Sequence, residues 1–103
     1  MPQRIKLGQN DKVPVALTPG QRDLILNQTF ASPDLTAFLR SVPVEDGKVV
    51  VHYTLSEIEE LMGFVAAEAN HSQNRGLVRE LDRLYDYLGT FEEKYEDDLS
   101  APR

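Results

Sequence analysis

Six apolar residues, Leu77, Leu81, Leu84, Leu88, Phe91 and Tyr95, recur along the chain at alternating steps of four and three. That spacing predicts a helix over 77–95 with one apolar seam, dressed on its other faces by Arg79, Glu80, Asp82, Arg83 and Asp86. Arg79 with Asp82 and Arg83 with Asp86 are spaced for i,i+3 attraction, worth only ~0.2–0.5 kcal/mol a pair, so burial of the seam has to supply most of the stability. Gly89 interrupts the run at a cost of roughly 0.8–1.0 kcal/mol relative to Ala. Thr90 and Glu93 have capping-box spacing and could restart a helix at Phe91. Leu88, Phe91 and Tyr95 nevertheless keep the seam in phase, which favours one helix that can kink at the glycine.

A second seam precedes it. Thr54 and Glu57 form a capping box, and Ile58, Leu61, Met62, Val65, Ala66 and Ala69 then mark a long amphipathic helix ending near Asn70 or His71. The short polar link from Asn70 to Asn74 makes the last helix turn back antiparallel, so the two seams close on each other as a helical hairpin. Ala66 and Ala69 allow close approach near its turn.

Nearer the start, Thr18, Pro19 and Gln21 give a sharp helix beginning, and the helix runs to about Thr29. Ser32, Pro33 and Asp34 repeat the device, with Leu35, Phe38, Leu39 and Val42 on one face of a second short helix. Leu24, Ile25, Phe30, Leu35 and Phe38 are spaced to pack these two helices together. Three consecutive valines after Asp46-Gly47 predict a strand at about Lys48 to Tyr53, paired either with Val42–Val44 or with Val13–Leu17. Pro14 and Pro43 confine their own segments to sheet edges. Arg4–Leu7 and Val13–Leu17, separated by Gly8–Asp11, read as a hairpin or as a loose arm followed by one strand. The expected fold class is α+β, mostly α: two short N-terminal helices, a small β-hairpin or short sheet, and a long antiparallel C-terminal helical hairpin. It forms a single domain over 1–103, with 1–12 as an arm and 98–103 as a frayed tail.

Composition narrows the setting. A chain of 103 residues, 41% of them hydrophobic, can bury one core. It contains no cysteine, no long apolar run and no charged-then-apolar leader, which together suit a cytoplasmic protein with no membrane segment. The net charge of -6 is unevenly spread: residues 1–20 carry Arg4, Lys6 and Lys12 against Asp11, whereas residues 54–103 hold twelve acids against five bases. Such an acidic half repels phosphate backbones, so nucleic acid is a disfavoured partner. A folded-back hairpin gathers Glu57, Glu59 and Glu60 with Glu92, Glu93, Glu96, Asp97 and Asp98 at one end and leaves the row Arg75, Arg79 and Arg83 near its turn. Opposite bias at the two ends suits self-association.

Candidate chemistry is sparse. Glu68 and His71 have the E-x-x-H spacing that carboxylate-bridged metal bundles use, but those sites need the motif twice, and a helix C-terminal histidine is the simpler account. His52 on the strand would need a carboxylate or hydroxyl at a recognisable spacing to act as a base, and none is present. The helix pair 19–41 could be a helix-turn-helix, yet it offers only Gln21, Arg22, Asn27, Gln28 and Arg40 toward nucleic acid. No phosphate-binding, nucleophile-elbow or zinc-protease motif occurs, so neither an enzyme nor a cofactor is expected. Tyr85 and Tyr87 flank the main seam. With Val78, Glu92, Glu93 and Glu96 they form the expected interaction surface of a small non-enzymatic interaction or regulatory module, bound to a protein partner or to itself as a homodimer. The alternative is a nucleic-acid-associated regulator using the helix pair 19–41. A metal-binding protein or enzyme around Glu68, His71 and His52 comes last.

Overall fold

The computed structural model describes residues 5–8 and 10–97. Its elements run β1 (Ile5–Leu7), β2 (Lys12–Leu17), α1 (Pro19–Gln28), α2 (Pro33–Ser41), β3 (Val49–Thr54), α3 (Leu55–His71), α4 (Arg75–Lys94) and β4 (Tyr95–Asp97). The fold is α+β and mostly α, and α3 packs on α4 more extensively than any other two elements meet. Residues 98–103, read from the sequence as a frayed tail, lie outside the described residues, as do residues 1–4 of the arm.

Local chemistry starts the helices where the sequence says they start. The Thr18 hydroxyl accepts from the Gln21 amide at 3.0 Å while the Thr18 amide donates to the Gln21 side chain at 2.9 Å. Thr54 and Glu57 make the same reciprocal pair at 3.1 and 2.9 Å. Each box satisfies two amides that the first helical turn would otherwise leave without partners. Asn74 caps α4 through the Leu77 amide at 3.1 Å. Ser32 makes no side-chain cap bond; Pro33 at the first helical position and Asp34 in the first turn favour α2 without it. Helix α4 is continuous through Gly89.

β2 and β3 pair antiparallel, with Val13 opposite Tyr53, Val15 opposite Val51 and Leu17 opposite Val49. Those six side chains are buried, and Lys12, Pro14, Ala16, Val50 and His52 face outward, the alternation that period-two side-chain geometry demands. Pro14 has no amide hydrogen, so the rungs of this ladder fall on the odd-numbered residues of β2, and the even-numbered ones turn their backbone groups to the open edge. Of the two pairings the sequence allows for β3, this one forms. The alternative segment is stopped by its own proline: Glu45 and Lys48 exchange backbone bonds at 2.8 and 2.9 Å around Asp46 (φ 52°) and Gly47 (φ 73°), a two-residue turn with both centres at positive φ. The next rung would need an amide hydrogen from Pro43, and the hairpin ends after one bridge.

Ile5–Leu7 is neither a loose arm nor half of a hairpin with β2. It pairs in parallel with Tyr95–Asp97, beside the end of α4. The core lies between the β2–β3 sheet and the helices. Leu24, Ile25, Leu35 and Leu39 meet Val51, Tyr53, Ile58, Leu61, Val65, Leu81, Leu84 and Leu88 in one cluster. Leu61 and Val65 thus share a core with Leu81 and Leu84, as two facing seams require. The Tyr53 hydroxyl donates to the Leu35 carbonyl inside it, tying the sheet to α2.

Candidate docking face

The seam of α4 has two borders, and the fold treats them differently. On one border Tyr87 reaches the open edge of β2, where its hydroxyl donates to the Ala16 carbonyl at 2.7 Å. Its ring meets Phe91 edge-on at 5.5 Å, and Phe91 stacks against Tyr95 at 6.4 Å. This border is closed by the protein itself, and burial lifts the Tyr87 phenol above its ordinary pKa. Tyr87 therefore belongs to the internal packing and leaves the expected interaction surface. The sequence could not distinguish it from Tyr85, because both flank the seam and only the position of β2 separates them.

On the other border Tyr85 is 40% exposed. It lines a pocket of about 150 Å³ with Val65, Ala66, Ala69 and Asn70 of α3 and Leu81 and Asp82 of α4. The small side chains Ala66 and Ala69 leave a recess beside Leu81 that no side chain among the described residues fills. Val78, at heptad spacing from Tyr85, is half-buried along the same border, and Glu92 continues it one heptad further. Asn70 and Asp82 were missed as members of this site. The pocket places their polar groups at the rim of an apolar floor, which suits a ligand with an apolar body and a polar tip.

The acids expected at the far end of the hairpin are partly gathered there. Glu92 is half-buried, Glu93 is exposed, and Glu96 lies in β4 at the register position opposite Lys6. Strand β1 thus brings a base into the acidic end, which is less negative than the hairpin alone implies. Glu68 is half-buried and His71 exposed near the end of α3, and among the described residues no group of three or more metal-ligating side chains forms around them. His52 is exposed on the outer face of β3.

Two of the polar groups that the helix pair 19–41 was expected to offer serve the fold, and three stay exposed. Gln21 is held in the Thr18 box, and the Arg22 guanidinium donates to the Val42 carbonyl at 3.3 Å and lies 3.9 Å from Asp23. Asn27, Gln28 and Arg40 are exposed. The two phenylalanines expected to join these helices point outward instead. Phe30 is 88% exposed beyond the extended Thr29 that ends α1, and Phe38 is 54% exposed with the Lys12 ammonium 5.2 Å from its ring centre. Leu35 and Leu39 already fill the buried face of α2. A second pocket, of about 240 Å³, lies where Thr18, Gly20, Gln21 and Leu24 face Glu80 and Arg83.

Among the described residues no helix is long and apolar enough to cross a membrane. The chain has no significant match to a protein-family model, a curated protein or a solved structure.

Proposed function

We propose that this chain is a small, non-enzymatic interaction module that docks a protein partner along the Tyr85 border of its C-terminal helical hairpin. The observation that carries this reading is the asymmetry of α4: one aromatic border is clasped to β2, while the other leaves Tyr85 exposed beside an unfilled recess. An exposed tyrosine at the rim of an apolar pocket is the kind of anchor that dominates protein interfaces, because it buries a large ring at little conformational cost and keeps its hydroxyl bonded. Val78 and Glu92 extend the border to either side. A cytoplasmic setting belongs to the same reading, in keeping with a sequence that holds no cysteine.

The test is site-specific photocrosslinking of the full chain. A benzophenone side chain in place of Val78, on the open border, should give discrete protein adducts in native extract. The same group in place of Glu45, in the exposed turn, should give none. Absence of adducts from position 78, or equal labelling from both positions, overturns the proposal.

A further inference from the structure

We infer that the occupant of the Tyr85 groove is a second copy of this chain, its α4 antiparallel to the first about a two-fold axis passing beside Tyr85. This rests on the docking-module reading and adds the partner and its register.

The anchor and its receptacle are neighbours on the same surface. Tyr85 borders the recess formed by Val65, Ala66, Ala69 and Leu81, so a two-fold axis beside it seats each Tyr85 ring in the recess of the other copy. A self-complementary patch is what an isologous interface requires. The rim supplies the polar end: Asn70 and Asp82 are acceptors for the incoming phenol hydroxyl.

The charges agree with this register. With Tyr85 opposite Tyr85 in antiparallel helices, Arg75 and Arg79 come level with the turn of the second copy that carries Glu92 and Glu93, and symmetry repeats the juxtaposition. Arg75, Arg79 and Glu93 are exposed and Glu92 half-buried, and none of the four forms an ion pair within the chain among the described residues. Their placement also runs against the helix they belong to. The first turn of α4 holds Arg75 and no acid, and its last turn holds Glu92 and Glu93 beside Lys94, whereas the helix dipole favours acids at the start and bases at the end. Stability of the isolated helix does not account for that arrangement; a mate lying in the opposite sense does, since its dipole and its charges are both reversed. Asp82 and Asp86 approach the axis as like charges, and the Tyr85 hydroxyl donating to Asp82 moderates that repulsion.

Sedimentation equilibrium of the full chain at low ionic strength tests this. The wild type should sediment as a dimer. The Arg75→Glu/Arg79→Glu variant and the Glu92→Arg/Glu93→Arg variant should each associate about 100-fold more weakly, because every contact of the set becomes a like-charge pair. Both reversals place charge in the sense the helix dipole prefers, so α4 is retained, as circular dichroism will verify. An equimolar mixture of the two variants should recover the dimer mass, since each supplies the charge the other needs. A monomeric wild type, or two variants that remain as dimeric as the wild type, overturns the inference. A monomeric wild type that still gives adducts from position 78 with another protein removes the second copy and leaves the docking module standing. No dimer and no adduct removes both.

Discussion

Tyr53 concentrates much of what holds this protein together. Its side chain is fully buried, its hydroxyl is bonded to Leu35, and its phenol is pushed up to about 12 from 10.0, first by burial and then by the Glu57 carboxylate nearby. The unfolded chain gives up this proton near pH 10 and the folded chain only near 12, so between them the folded state binds more protons and stability falls as pH rises. The contribution is complete below pH 10, and a shift of this size amounts to about 2–3 kcal/mol once pH has risen through the window. Urea denaturation between about pH 9 and about pH 11 should show the loss in the wild type. Tyr53→Phe, about 1–2 kcal/mol less stable at neutral pH for want of the Leu35 bond, should show a distinctly shallower loss. Equal slopes would mean that the phenol does not titrate with folding. That Tyr53 is inward was legible from strand alternation. Its partner was not, because Leu35 lies 18 residues away across a helix-to-sheet contact that no local spacing encodes.

Elements built from neighbours three or four residues apart were legible in the sequence, and the β2–β3 ladder stood there as one of two pairings, whereas the β1–β4 pairing was not legible. The Thr18 and Thr54 boxes, the two long seams and the Asp46-Gly47 turn all formed where their residue types require them. Pairing of β1 with β4 joins three-residue strands from opposite ends of the described chain, and neither carries a pattern long enough to announce a partner. Pro43 was legible as an edge residue, and its stronger effect, ending the hairpin after one bridge, followed only once the turn fixed which rung came next. Gly89 offers a test at this scale. A methyl group there would meet the Met62 terminal carbon at 3.5 Å, an ordinary contact, within a continuous helix. Gly89→Ala should therefore stabilise the chain by about 0.5–1 kcal/mol through the backbone freedom removed from the unfolded state. Thermal unfolding at low protein concentration, where association does not contribute, will check the sign; a lower midpoint would mean that α4 bends there after all.

Across the whole molecule, the candidate site was only half legible. The sequence singled out the tyrosines of α4 and the opposed charges of the hairpin, yet which border stayed open depended on where β2 came to rest. That dependence has a kinetic side. Leu17 meets Val49 across 31 intervening residues, and the clasp from Tyr87 to Ala16 spans 71 positions, whereas α3 and α4 close on each other over Ser72, Gln73 and Asn74. Short loops close at small entropic cost and long ones must wait for other contacts to compensate them. The hypothesis that follows is an order of assembly: the helical pair nucleates and the strands arrive on a surface already in place. Leu84→Ala, losing about 2–5 kcal/mol, should then slow refolding in stopped-flow measurements, while Val15→Ala should leave that rate alone and hasten unfolding. Reversed behaviour would make the sheet the seed, and the aromatic clasp, instead of being the last fastening made, would be among the first.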